Sequence, residues 1–141
     1  MLVRLMYASR AAEGLKPEAV GAILKRSTAN NPAQGVTGVL CFSGTVFLQV
    51  LEGGRSQVSG LYNRIAQDPR HTDVVLLSYD EIDERGFAGW AMGQVNMNKL
   101  NPALLLKYSE AAVLDPYAVS GKVSLALFNE LVATASVMCL G

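Results

Sequence analysis

Two polar side chains sit where the surrounding pattern asks for apolar ones. Gln49 lies inside Val46-Phe47-Leu48-Gln49-Val50-Leu51, on the face that Phe47 and Leu51 share in an extended segment. An amide there needs partners, because one buried polar group left unpaired costs about 1–3 kcal/mol. Tyr7 ends the segment Leu2 to Tyr7 on the face of Val3 and Leu5, and its hydroxyl carries the same need. If the two segments are neighbours, Tyr7 and Gln49 can meet. A structural Tyr–Gln bond in an ordinary core satisfies both groups, so spacing alone leaves their role open. Asn30-Asn31 ahead of Pro32 reads first as a helix stop. Arg64 and Asp68, at i and i+4, read as a solvated helical pair worth tenths of a kcal/mol. Trp90 and Met92 lie two apart on a predicted strand, hence on one face, with core packing as the default.

Other chemistries find little support. No nucleophilic triad emerges from the sequence, one histidine cannot build a usual zinc site, and His71 beside Asp68 and Arg70 reads as a surface residue. Gly53-Gly54 opens a helix without the lysine or the full glycine pattern of a phosphate loop. Cys41 and Cys139, in apolar surroundings without CxxC spacing, read as buried reduced thiols. The 12 basic and 12 acidic residues cancel, which argues against direct nucleic-acid binding and against an anionic membrane surface. Half of the 141 residues are apolar and 17% are charged, so the chain is globular, one domain in size and not disordered. The longest uncharged stretch, Gly35 to Leu51, is broken by glycines and Gln49 and falls short of a membrane span. No h-region opens the chain, and the expected location is cytoplasmic.

Periodicity sets the elements that must position these groups. Leu2 to Tyr7 is a strand, and a helix from Pro17 puts Val20, Ile23, Leu24 and Ser27 on one face before stopping near Asn30-Asn31-Pro32. Gly35 to Cys41 and Val46 to Glu52 form a hairpin about Phe42-Ser43-Gly44-Thr45. Ser56 can cap a second helix, with Val58, Leu61, Tyr62 and Ile65 on one face, which Asp68-Pro69 closes. Val74 to Tyr79 and Trp90 to Asn96 are the fourth and fifth strands. The order predicts an α+β, ferredoxin-like β-α-β-β-α-β-β sheet with both helices on one face. The other face needs cover, which a short helix at Pro102 to Ser109 and a long apolar one at Lys122 to Met138 can supply, on the sheet or in an oligomer interface.

Five stretches in this order resemble the BLUF family of flavin-binding blue-light sensors. They are Leu5-Met6-Tyr7-Ala8-Ser9, Asn30 to Leu40, Phe47 to Gly53, Arg64 to His71, and Phe87-Ala88-Gly89-Trp90-Ala91-Met92, together covering about residues 1–96. The resemblance implies a flavin-binding domain at 1–96, a C-terminal helical extension at 97–141, and the short stand-alone type with no enzymatic output domain. It implies FAD, with FMN or riboflavin as substitutes, its ring held between the two helices with Ile23 and Ile65 on its faces. Tyr7, Ser27, Asn30, Asn31, Phe47, Gln49, Arg64, Asp68 and Met92 would complete the lining, Asn31 bonding the polar edge of the ring and Gln49 bridging Tyr7 to the flavin.

The mechanism that the resemblance implies is electron and proton transfer from Tyr7 through Gln49 to excited flavin, then a rearranged Gln49 hydrogen bond and a small red shift. Met92 and Trp90 would carry the change toward the C-terminal helices, and from there to a separate protein partner or within a homo-oligomer. The rival readings are a cofactor-free interaction domain and a small acylphosphatase-like enzyme using Gly53-Gly54-Arg55.

Overall fold

Apolar side chains on both faces make β1 (Leu2–Ala11) a strand that must be covered on two sides. It pairs antiparallel with β3 (Val46–Gly54) on one flank and with β4 (His71–Ile82) on the other. β3 pairs antiparallel with β2 (Thr37–Phe42), completing the predicted hairpin. β5 (Gly93–Val95) runs parallel to β2, and β6 (Val137–Cys139) antiparallel to β5. The computed structural model describes residues 1–134 and 137–139, and their strands lie in the order β4-β1-β3-β2-β5-β6. The first four strands, with α1 (Pro17–Gln34) and α2 (Arg55–Gln67), make the expected ferredoxin-like arrangement.

Each sheet face has its own apolar layer. Val3, Leu5, Tyr7, Phe47 and Leu51 pack with Val20 and Leu24 of α1 and Val58 of α2. On the reverse face, Met6, Leu48, Val50, Val39 and Cys41 pack against α3 (Pro102–Tyr108) and α4 (Gly121–Ala133) through Leu105, Leu127, Phe128 and Leu131. Gly121 brings α4 onto β4 so closely that a Cβ there would stand 2.4 Å from the Leu77 carbonyl oxygen. A second tie lies at the far end of β1. There Tyr117 Oη donates to the Asp73 carbonyl (2.7 Å) and the Arg10 guanidinium stacks 4.2 Å over the Tyr117 ring. Asp73 has φ 48° at the point where the β1–β4 register slips.

Several boundaries differ from expectation. α1 does not stop at Asn30-Asn31-Pro32 but runs to Gln34. It ends there in a Schellman turn, with Gly35 at φ 68° and the Gly35 and Val36 N–H groups on the Pro32 and Asn31 carbonyls. α2 begins at Arg55 without a Ser56 cap. The fifth strand is cut to Gly93–Val95, so Trp90 and Met92 stand ahead of it and do not share a face. The long last helix ends at Ala133. Of its expected stripe, Ala135 lies outside the described residues, and the backbone at Met138 belongs to β6. α4 is one-sided, burying Ser124, Leu127, Phe128 and Leu131 and leaving Lys122 and Asn129 exposed.

Candidate functional site

The β1–β3 register sets Tyr7 directly opposite Gln49. Both side chains point to the helix side, Tyr7 at 1% exposure and Gln49 at 6%. Tyr7 Oη donates to Gln49 Oε1 at 2.5 Å. Burial raises the Tyr7 pKa well above the ordinary phenol value, the Tyr62 and Asp68 charges adding to it, so the hydroxyl is held protonated. With its oxygen committed to Tyr7, the Gln49 amide turns Nε2 toward Met92 Sδ (3.2 Å). A thioether is a weak acceptor, so that end of the amide is lightly held.

Above the pair, α1 and α2 spread apart and leave a cavity of about 340 Å³. Tyr7, Phe47 and Gln49 of the sheet line it, with Ile23, Ser27, Asn30 and Asn31 from α1 and Arg64, Ile65 and Asp68 from α2 and its C-terminus. The family resemblance leads one to expect all ten. Asn31 is 4% exposed, and its Nδ2 donates to the Ala91 carbonyl at 2.9 Å. Met92 touches the site through Gln49. Trp90 belongs to the other side of the sheet, packed on the layer that α3 and α4 cover. The strand that would have put both on one face is absent at these residues, and the bend before β5 sends them to opposite faces.

Two titratable groups stand differently from expectation. Asp68 does not pair with Arg64. It caps the end of α2, and its carboxylate takes the Arg70 side chain at 2.5–3.0 Å. Those bonds hold its pKa down at about 2. His71 is not a surface residue. It is 9% exposed, bonds through Nδ1 to Ser9 Oγ at 2.7 Å, and has the Phe47 ring 4.7 Å away. Arg26, Arg70, His71, Leu24, Leu40 and Leu61 also line the cavity, although the sequence does not single them out for it. Leu24 and Leu61 do carry a signal, since each shares a helical face with an expected lining residue. Arg55, the faint phosphate-loop candidate, is engaged by Glu81 across the sheet edge.

Burial holds the His71 pKa below its ordinary 6.5, outweighing the opposite pull of Asp68. The unfolded chain binds that proton first on acidification. Stability that is fully present above pH 6.5 is therefore lost as pH falls through 6.5 toward the lower folded value. His71→Gln should flatten the pH dependence of the denaturation midpoint between about pH 7 and 5, to the slope left by the carboxylates. An unchanged slope in the variant would reject this assignment.

A family model described as "Sensors of blue-light using FAD" matches residues 2–93. The photoactivated adenylate cyclase subunit beta of Euglena longa is 37% identical over 92 residues, 64% of this chain. The chain spans 11% of that relative's length. The blue light- and temperature-regulated antirepressor BluF of Escherichia coli K12 is 32% identical over 106 residues, 74% of this chain and 26% of that protein. Among solved structures, the BlsA photo-activated state superposes with TM-score 0.82 at 31% identity, covering 93% of this chain and 94% of that one. The BlrB dark state gives 0.79 at 29% identity, covering 95% and 96%.

Proposed function

The chain belongs to the BLUF family, the sensors of blue light using FAD, and from that premise we propose that it is a photoreceptor that catalyses no reaction of its own. The observation that carries the proposal is the buried Tyr7–Gln49 hydrogen bond at the wall of a cavity between two helices. That cavity fits a flavin. Ile23 and Ile65 supply apolar walls from facing helices, while Asn31 and Gln49 supply directed polar groups at one end. Arg26 and Arg64 supply positive charge suited to the phosphates of a flavin tail, whereas Arg70 is taken up by Asp68. FAD is the family's cofactor, with FMN or riboflavin as substitutes that would present the same ring to Ile23 and Ile65.

Bound flavin supplies an absorber of blue light that is a strong electron acceptor once excited. Tyr7 is the donor in this mechanism. Its Oη proton cannot leave at working pH while the phenol is intact, since burial holds it there. Loss of an electron makes that proton strongly acidic, and the 2.5 Å bond delivers it to Gln49 Oε1. When electron and proton return to Tyr7, the Gln49 amide is left rotated or tautomerised, at the cost of a weak Nε2–H···S bond to Met92. With no covalent bond formed, the dark arrangement recovers thermally.

Residues 1–96 act as the sensing domain and 97–141 as the extension that carries the signal. The change at Gln49 reaches Met92 and then Ala91, which Asn31 holds, and passes into β5 and the helices behind the sheet. The receiver is a separate protein, with the chain itself in a homo-oligomer. Support comes from Leu106 and Val113, apolar and 53% and 60% exposed on that extension. Among the described residues no helix is long and apolar enough to cross a membrane.

The test is a visible spectrum of purified protein before and after blue light, then followed in darkness. The expected result is a flavin band that moves slightly to the red and returns. A flavin band that stays in place would remove the Tyr7–Gln49 mechanism, and a colourless protein after refolding with FAD would remove the photoreceptor.

A further inference from the structure

Glu52 stands three residues beyond Gln49 on β3, with its side chain on the opposite face of the sheet, fully buried at 0% exposure. A carboxylate so placed must be paired, and here it is paired with backbone. Oε1 accepts the Phe87 N–H at 2.6 Å, and Oε2 accepts the Gly86 N–H at 2.9 Å and the Arg4 Nε–H at 2.8 Å. Arg85 adds a strap from the same loop, donating to the Gly35 carbonyl (2.6 Å), Thr37 Oγ1 (3.0 Å) and the Glu52 carbonyl (3.3 Å). The Phe87 ring is itself buried, edge-on to Phe128 at 6.3 Å.

Beyond Phe87 the chain meets the light-sensing pair. The Trp90 carbonyl accepts from Gly38 N–H, the Ala91 carbonyl from Asn31, and Met92 Sδ from Gln49. Gly93 then enters the sheet beside Val39. The run from Phe87 to Gly93 has little regular structure of its own, so its path is set by these contacts and by its two ends. One end is the sheet, and the other is the Glu52 carboxylate.

We propose that Glu52 is a positioning residue for the light response, fixing the Gly86–Phe87 end of this segment so that Met92 and Ala91 are delivered to Gln49 and Asn31. This rests on the light-sensing reading above. With one end fixed, displacement of Met92 has a single outlet, forward into β5 and the helices behind the sheet. Gln49 and Glu52 thus divide the work of one strand, the first meeting the light-sensing side and the second holding the output segment from the other.

The test uses the full chain with bound flavin, comparing wild type with Glu52→Gln, which keeps the shape and loses the charge. Glu52→Gln should bind flavin equally and still shift to the red. Its dark-recovery lifetime should change by about tenfold, the rate equivalent of one charge-assisted hydrogen bond withdrawn from the positioning of Met92. In wild type, the light-induced change in amide hydrogen exchange should be confined to residues 90–95; in the variant it should spread back to 86–87. Arg85→Ala, on a partly exposed side chain, should give the same signature more weakly and serves if Glu52→Gln does not fold. A purely structural role would lower thermal stability while leaving the lifetime and the exchange pattern unchanged, and that result overturns the proposal alone. A wild-type band that does not move overturns the light-sensing reading and the proposal with it.

Discussion

Tyr7→Phe protein should be yellow, bind flavin as tightly as wild type, and show no red-shifted state under blue light. The ring of residue 7 makes the packing, tilted against Tyr62 at 5.7 Å and edge-on to His71 at 6.4 Å, and Phe keeps both contacts. What disappears is one oxygen and the proton it donates to Gln49 Oε1. Leaving that amide oxygen without its donor costs about 1–3 kcal/mol, a modest loss of stability. The effect on the light response is total, because the donor of both electron and proton is gone. Difference spectroscopy on the purified variant checks this, and a normal cycle of shift and recovery would reject Tyr7 as donor.

Gln49→Leu should abolish the red shift as completely, by a different route. Leucine fits the layer formed by Phe47, Leu51 and Leu40, so folding and flavin content should survive. The Tyr7 hydroxyl then has no amide opposite it on β3, and the proton has no path out of the phenol. Electron transfer without that path leaves Tyr7 to take its electron straight back. The two variants are separable by their fast kinetics. Tyr7→Phe should show long-lived excited flavin, whereas Gln49→Leu should still quench it. A full shift in Gln49→Leu would remove the relay role, and equal excited-state lifetimes would remove the division between donor and relay.

Tyr7 and Gln49 are legible in the sequence because strands have a strict period, whereas the rest of the lining is legible only through the family resemblance. Period two places Tyr7 with Val3 and Leu5, and Gln49 with Phe47 and Leu51, which is how two polar side chains betray themselves. The element order then pairs β1 with β3. The sequence misleads where contacts join residues distant along the chain or where the backbone is irregular. Pro32 looks like a stop, but a Schellman closure on Gly35 carries the helix through it. Trp90 and Met92 have a strand's spacing in a stretch that has no strand, so their faces come out wrong. His71 and Asp68 take their sequence meaning from near neighbours, while Ser9, 62 positions away, decides where the imidazole goes. Glu52 carries no signal, since a lone carboxylate near a strand end looks the same whether it meets water or two backbone amides.

The apolar layer behind the sheet bears on how such a sensor can be moved between proteins. The family model's match ends at residue 93, yet Met6, Val39, Cys41, Leu48 and Val50 point away from the cavity and find their cover in residues beyond it. Arg10, on the strand that carries Tyr7, stacks on a tyrosine of that same later stretch. A graft cut at the similarity boundary would bring an intact chromophore pocket and a bare hydrophobic underside. Whatever is spliced on must then act as a lid before it can act as a listener, and the best-behaved chimeras should be those that keep the native lid and attach their cargo after it.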